Sequence, residues 1–260
     1  MRLDKFLSLC GKASRSETLR SVRRGEITVN GVPARRGDCP VEPDTDTVVF
    51  RGETVVYRPY TYVMLHKPDG VVSATEDRLA GEPTVLDLLP PELTRLRPGL
   101  FPCGRLDKHT TGLMLLTNNG KLAHRLLSPA RHVDKTYAFT VKFPLSAEDV
   151  AALESGVSLR NADGGTDCVT APCRVELTDC TGRGAAGRIT LHEGKYHQIK
   201  RMMEARHNQI TSLARLTFGS LVLDPALAPG AWRLLTDAET VALENCGGAD
   251  TGAPPDATDV

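Results

Sequence analysis

The stretch GRLDKHTTGLMLLTNNG, residues 104–120, decides how this chain is read. It sets one carboxylate, Asp107, between Arg105 and Lys108 in a segment punctuated by Gly104, Gly112 and two threonines, and then runs into four apolar residues. By local chemistry alone the first half is a turn, because aspartate accepts nearby backbone hydrogen bonds and glycine supplies conformational freedom. A second reading is a working carboxylate whose negative charge the neighbouring cations support. The continuation is plainer. LMLLT predicts a buried strand, Asn119-Gly120 a break, and KLAHRLLSP a helix ending near Pro129.

Outward from this stretch the pattern stays rich in strands. YVMLHKPDGVVSAT (62–75) predicts strand, turn, strand with Pro68 to Gly70 as the turn, and KTYAFTVKF (135–143) alternates as a strand does. SAEDVAALESG (146–156) predicts a helix capped at Ser146, and CRVELTD (173–179) and GRITLHEG (187–194) predict two more strands. YHQIKRMMEARHN (196–208) has helical spacing with Ile199, Met202, Met203 and Ala205 inward, and LARLTFGSLVLD (213–224) follows as a strand. Strands outnumber helices without regular βα alternation, so the expected class is α+β with a mainly antiparallel mixed sheet.

The first 58 residues form a different unit. Leu3, Phe6 and Leu7 are spaced for a short amphipathic helix, and Ser14 with Glu17 predicts a capping box opening a second helix, with Leu19 and Val22 as its apolar stripe and Gly25 as its stop. Asn30-Gly31 in ITVNGVPA is a two-residue hairpin signal, and DTVVF and ETVVY make a second strand pair across Arg51-Gly52. The expected division is residues 1–58, a proline-marked linker at 59–62, a large domain over 63–243, and an acidic, disordered tail over 244–260.

Composition excludes several classes. The chain of 260 residues, 40% hydrophobic and 25% charged, can bury a substantial core. No run of eighteen apolar residues occurs, so a membrane protein is not expected and the cytoplasm is the expected location. Seven cysteines without a CxxC pair read as reduced thiols. No phosphate-cradling GxxxxGK[ST] and no GxGxxG after a strand supports a nucleotide cofactor. In HEGKYH (192–197) the second histidine falls at i+5, off the helix face of the first, so no metal site is expected.

The net charge of zero conceals segregation. Residues 1–36 carry nine Lys or Arg against three acids and residues 95–142 nine against two, whereas no cation follows Arg233 and residues 237–260 hold six acids. Clustered cations of this kind point to a polyanionic partner, whose condensed counterions they release.

These stretches carry a resemblance. The two helices and strands of residues 1–58, with Arg2, Lys5, Lys12, Arg15 and Arg35 over their surface, resemble the S4 RNA-binding domain. GRLDKHTTGLMLLTNNG resembles the catalytic motif of bacterial pseudouridine synthases, GRLD followed by xxTxGLLLLTxDG. HKPDGVVSAT, KTY at 135–137 and EGKYHQIKRM at 193–202 resemble the other motifs in the same order, and with LAPGAWRLLT (227–236) the pattern is similar to rRNA pseudouridine synthases of the RsuA type. The similarity extends over about residues 1–243.

The resemblance implies a pseudouridine synthase catalytic domain that isomerises one uridine of ribosomal RNA without a cofactor. Asp107 is then the essential carboxylate, either adding to ribose C1′ or removing a ribose proton to give a glycal. Tyr137 packs on the flipped uracil and is a candidate for the C5 proton transfer. Lys200 is the cation paired with Asp107, with Arg201 the adjacent candidate about 100° away on the helix. Ile199 joins the base pocket, and Arg105 and Lys108 contact RNA phosphate or the flipped nucleotide. The expected substrate is 16S small-subunit rRNA, free or in a partly assembled subunit, and the expected state a monomer. The alternatives are 23S large-subunit rRNA with the same chemistry, or a catalytically silent S4-type RNA-binding protein. The chain departs from the family pattern at His109, where relatives commonly carry aspartate, at Asn119, where the turn usually has Asp-Gly, and at Lys200, which keeps the charge of an arginine without its bidentate fork.

Overall fold

The structure, a computed structural model, describes residues 1–57, 60–76, 81–131, 133–160, 165–179 and 184–246. The elements in chain order are α1 (Leu3–Leu9), α2 (Arg15–Arg23), β1 (Ile27–Val29), β2 (Val32–Pro33), β3 (Val48–Phe50), β4 (Glu53–Val55), β5 (Tyr62–Lys67) and α3 (Pro91–Thr94). There follow β6 (Phe101–Pro102), β7 (Thr111–Thr117), α4 (Gly120–Leu127), β8 (Lys135–Val141), α5 (Ala147–Ser155), β9 (Ser158–Arg160) and β10 (Thr166–Val169). The last are β11 (Arg174–Asp179), β12 (Ala185–Leu191), α6 (Gln198–Ala205), β13 (Ile210–Phe218), β14 (Leu221–Val222), β15 (Trp232–Leu234) and α7 (Asp237–Glu244).

Two compact units result. The first comprises Met1–His109, Met114–Gly120 and Leu227–Leu234; the second comprises Thr110–Leu113, Lys121–Ala226 and Leu235 onward.

Within the first unit, residues 1–57 have a core of their own. Leu3, Phe6 and Leu7 from α1 meet Val22, Ile27, Val41, Val48, Phe50 and Val55, and Tyr57 stacks on Phe6 with ring centroids 5.6 Å apart. Beside this core lies a four-stranded sheet in the order β2-β1-β3-β4. Its two hairpins turn at Asn30-Gly31 and Arg51-Gly52, where both residues of each pair have positive φ, the left-handed conformation a tight two-residue turn requires. The capping box at Ser14 and Glu17 forms as the spacing predicts. Leu19 does not face inward as expected. It is 46% exposed, and α2 instead buries Thr18 and Ser21 beside Val22. A helix of nine residues on a small core presents only a narrow stripe, and small side chains let it approach closely.

The rest of the first unit is built on β5, with β7 on one side and the antiparallel β15 on the other, and β6 paired to the end of β7. Tyr62, the last residue of the expected linker, is the first residue of β5, and Pro59 lies outside the described residues. The strand expected after the Pro68–Gly70 turn is absent: Val72 makes one isolated bridge to Thr84, and residues 73–75 bend. The segment's backbone at Val72 bonds Pro83 and Val85, and the Ser73 side chain turns to the backbone beside Asp107.

The second unit is a sheet in the order β11-β12-β8-β13-β7, antiparallel except where β13 runs parallel to β7, with β14 folding back on β13 and β9-β10 as a separate pair. Its core joins Phe139 and Val141 of β8 with Leu153 of α5, Ile189 of β12 and Ile199, Met202 and Met203 of α6. The expected single strand over 213–224 is a hairpin broken at Gly219, with φ of +56°. Helix α6 starts at Gln198 rather than Tyr196, and Ala205 is exposed. The expectation of a disordered acidic tail falls mostly on residues 247–260, outside the described residues, with α7 ending at Glu244.

Candidate active site

Asp107 occupies the turn that carries the chain from β6 into β7 and is half-buried, with Arg105 exposed beside it. Both of its neighbours are fixed by the segment that follows β5. The Leu106 N–H donates to Ser73 Oγ at 3.0 Å, and that hydroxyl donates back to the Leu106 carbonyl at 2.7 Å. The Lys108 carbonyl accepts from the Gly70 N–H at 3.1 Å and from the Lys67 ammonium at 3.0 Å. Lys67 is fully buried, and its ammonium also donates to the Pro68 carbonyl at 3.2 Å. A buried ammonium costs free energy unless it is hydrogen-bonded, so its position ties the two loops together. Nothing in the sequence singled out Lys67; its place between an apolar strand and Pro-Asp-Gly was the available signal.

The neighbouring residues have other partners. Lys108 makes an ion pair with Glu82 at 2.7 Å, so its expected contact with RNA requires leaving that carboxylate. His109 hydrogen-bonds Asp69 at 3.0 Å, and this bond holds the Asp69 carboxyl below the usual carboxylate range. Asn119 is buried and donates its amide to the Tyr62 hydroxyl at 2.9 Å, a bond that a carboxylate at this position could not donate. Two of the three departures from the family pattern are thereby accounted for locally.

In the second unit Tyr137 lies half-buried on β8, with Ile189 of β12 opposite it on one side and Arg215 of β13 on the other. Arg215 is 2% exposed, donates from Nε to the Leu113 carbonyl at 2.7 Å, and sets its guanidinium 5.1 Å from the Phe218 ring centroid. Gly112, at the start of β7, takes φ of +99°, and a Cβ there would lie 2.3 Å from the Arg215 carbonyl oxygen. The second glycine of the opening stretch therefore permits the close parallel approach of β7 and β13. Arg215, read from the sequence only as part of a strand, is a structural anchor that alternation could not reveal.

Helix α6 carries the remaining candidates. Lys200 is half-buried. Ile199 is 5% exposed and belongs to the apolar core with Met202 and Met203, so its expected place in a base pocket would be reached from within that core. Arg201, the adjacent candidate and an expected RNA-binding residue, has protein partners of its own. Its guanidinium pairs with Asp167 at 2.7 Å and donates to the carbonyls of Arg160 at 2.8 Å and Tyr196 at 3.3 Å.

The loop before α6 is held from below by Glu193. Burial opposes ionisation of this carboxyl, but Lys195, the Ala171 N–H at 2.9 Å and the Gln198 amide at 2.6 Å together bring it below its usual range. The Lys195 N–H in turn donates to the Gln198 side-chain oxygen at 2.9 Å.

On the basic surface of residues 1–57, Lys5, Arg15 and Arg35 are exposed and make no ion pair among the described residues. Arg2 is paired with Asp4 at 2.6 Å and Lys12 with Glu53 at 3.2 Å. The Lys12 pair is solvent-exposed and exchanges readily for a phosphate, whereas the Asp4 carboxylate that holds Arg2 is buried. No group of three or more metal-ligating side chains occurs among the described residues, and no described helix is long and apolar enough to cross a membrane.

Residues 61–205 match the family model described as RNA pseudouridylate synthase, and residues 1–46 match the S4 domain. The chain is 47% identical over 239 residues to an uncharacterized RNA pseudouridine synthase, YtzG, of Bacillus subtilis, covering 92% of this chain and 96% of that one. It is 39% identical to the ribosomal small subunit pseudouridine synthase A of Pseudomonas aeruginosa, covering 92% and 98%, and 35% identical to that of Escherichia coli K12, covering 94% and 100%. A crystal structure of a pseudouridylate synthase superposes with a TM-score of 0.63 at 33% identity, covering 94% of this chain and 99% of that one.

Proposed function

From the premise that this chain belongs to the RNA pseudouridylate synthase family and opens with an S4 domain, we propose that it converts one uridine of 16S small-subunit ribosomal RNA to pseudouridine. The observation that carries this reading is the similarity to small-subunit enzymes along their whole length, the S4 segment included. Agreement confined to the catalytic motifs would have left the target class open.

The reaction breaks the C1′–N1 bond, turns the base, and joins C1′ to C5; the C5 proton is lost and N1 gains one. Composition is unchanged and no electrons are exchanged with a partner, so the chemistry calls for no cofactor. One carboxylate suffices, because the leaving base stays bound and returns as the incoming nucleophile. Asp107 is that carboxylate, acting by addition at C1′ or by forming a glycal. Its fixed backbone supports the role, since orientation set in advance lowers the barrier without reorganisation during reaction. Tyr137 stacks on the extruded uracil and serves the C5 proton transfer, and Lys200 is the cation that stabilises and orients Asp107.

The working division is an RNA-docking segment over residues 1–58, a linker at 59–62, a catalytic domain over 63–243, and a tail over 244–260. Exposed Lys5, Arg15 and Arg35 support docking by the first segment. The protein acts as a cytoplasmic monomer, on free RNA or on an assembling subunit.

Transcripts of small- and large-subunit rRNA labelled with tritium at uracil C5 test the proposal, because forming the C1′–C5 bond displaces the label from C5 into water. Release from the small-subunit transcript alone is expected. Release from the large-subunit transcript alone moves the target, and tight binding without release identifies a silent S4-type binding protein.

A further inference from the structure

The most exposed aromatic ring among the described residues stands four positions before Lys200. Tyr196 is 72% exposed, and its ring lies on that of His197 with centroids 3.9 Å apart and an interplanar angle of 17°. Two flat rings are thus stacked at the surface. His197 takes φ of +48°, a left-handed conformation a non-glycine residue adopts only when its surroundings impose it.

The surroundings that impose it are on the same segment. The Tyr196 carbonyl accepts from Arg201, which is anchored to Asp167 and to the Arg160 carbonyl, and the Arg201 N–H donates to the His197 carbonyl at 3.0 Å. Below, Glu193 and Gln198 fix the loop backbone at Ala171 and Lys195. An exposed ring of this size raises the free energy of the isolated protein, so a backbone built to present it points to an occupant. Of the cations on residues 192–201, Lys195 pairs with Glu193 and Arg201 with Asp167, so it is the ring pair itself, beginning four residues before Lys200, that marks the occupant: two stacked flat rings at the surface suit a nucleobase.

We propose that Tyr196, backed by His197, is a stacking platform for an unpaired nucleobase of the RNA flanking the uridine that is converted. This rests on the RNA-modifying reading above and adds a substrate contact to it. Stacking on an aromatic face tolerates any base and requires a single-stranded one, the state of RNA around an extruded nucleotide. Tyr196 therefore binds the ground state and the transition state alike, and its loss acts on affinity rather than on the chemical step.

The test uses the full chain with two readouts. Binding of the small-subunit rRNA transcript is measured for Tyr196→Ala, Tyr196→Phe and His197→Ala, and single-turnover conversion is followed at saturating RNA. Tyr196→Ala is expected to weaken binding about tenfold and Tyr196→Phe less than about twofold, with His197→Ala between them, while the saturated rate is unchanged. Abasic substitution at each nucleotide flanking the converted uridine should reveal one position at which wild type and Tyr196→Ala bind equally. Equal binding of Tyr196→Ala and wild type to unmodified RNA overturns the platform, as does a binding loss that no abasic position removes. If no uridine is converted on any rRNA, the enzymatic reading fails by itself; Tyr196-dependent binding of the transcript still supports the platform, and Tyr196-independent binding overturns it.

Discussion

At Gly112 a side chain has nowhere to go: φ is +99°, and a Cβ would lie 2.3 Å from the Arg215 carbonyl oxygen and 2.6 Å from its nitrogen. Gly112→Ala must move backbone, and it should lower stability by about 3 kcal/mol, read as a shift in the denaturant midpoint at constant slope. Lys67 gives a second residue-level prediction. Lys67→Met keeps the length and apolar stem but takes the ammonium from the Pro68 carbonyl and one of two donors from the Lys108 carbonyl, which keeps the Gly70 N–H, at a cost of about 1–3 kcal/mol. Because the Lys108 carbonyl directly follows Asp107, the turnover rate should fall together with stability, while affinity for RNA is retained. A variant with wild-type turnover would show that the turn keeps its geometry without the ammonium. Asp107, Tyr137 and Lys200 could be nominated from the sequence because their motifs carry them. Lys67 and Arg215 could not, because a buried cation inside an apolar strand leaves no trace in alternation or spacing.

The elements were legible wherever their signal was local. Capping boxes open α2 at Ser14 and α5 at Ser146 through side chains three residues apart, and Asn30-Gly31 makes its hairpin by its own backbone preference; the same signal at Thr236, which opens α7, was not read. The misread elements depend on distant partners. Val71–Thr75 looks β-prone, but Ser73 turns to the Leu106 backbone instead of joining a strand, and Leu19 is displaced outward because Thr18 and Ser21 pack more closely. Two pH responses belong to this scale. Burial, with help from Glu154 and Glu193, pushes the Cys173 thiol up to about 11, and its Sγ donates to the Leu153 carbonyl of α5 at 3.2 Å. Between the ordinary thiol value near 9 and about 11 the unfolded chain loses this proton before the folded one, so stability should fall as pH rises through that window. Thermal melts across it should flatten in Cys173→Ala. Asp149 behaves oppositely. Hydrogen bonds from Ser146, followed by Arg206, hold its carboxyl below the usual range, so its contribution is present at neutral pH and lost as pH falls through the acid range. Asp149→Ala removes the side-chain half of the capping box, leaving the Asp149 N–H on Ser146 Oγ, together with the pair to Arg206, at about 1–2 kcal/mol, and melts as a function of pH should show a weaker acid dependence.

For the whole molecule, the segregation of charge was evident in the sequence, but which cations remain available was not. Arg2, Lys12 and Arg36 face carboxylates of their own domain, whereas Lys5, Arg15 and Arg35 are exposed without an ion pair among the described residues. Arg15→Ala with Arg35→Ala should therefore weaken rRNA binding and reduce the slope of log affinity against log salt by about 2, with little change in stability. An unchanged slope would remove these residues from the docking surface. The proposed activity depends on one carboxylate acting on one RNA. Purified wild-type protein and Asp107→Asn are each incubated with small-subunit rRNA, and pseudouridine is mapped by carbodiimide-dependent stops of reverse transcription. One new stop is expected with wild type, and with Asp107→Asn a rate lower by about a thousandfold or more despite retained RNA binding. A stop of equal strength with both proteins would contradict it.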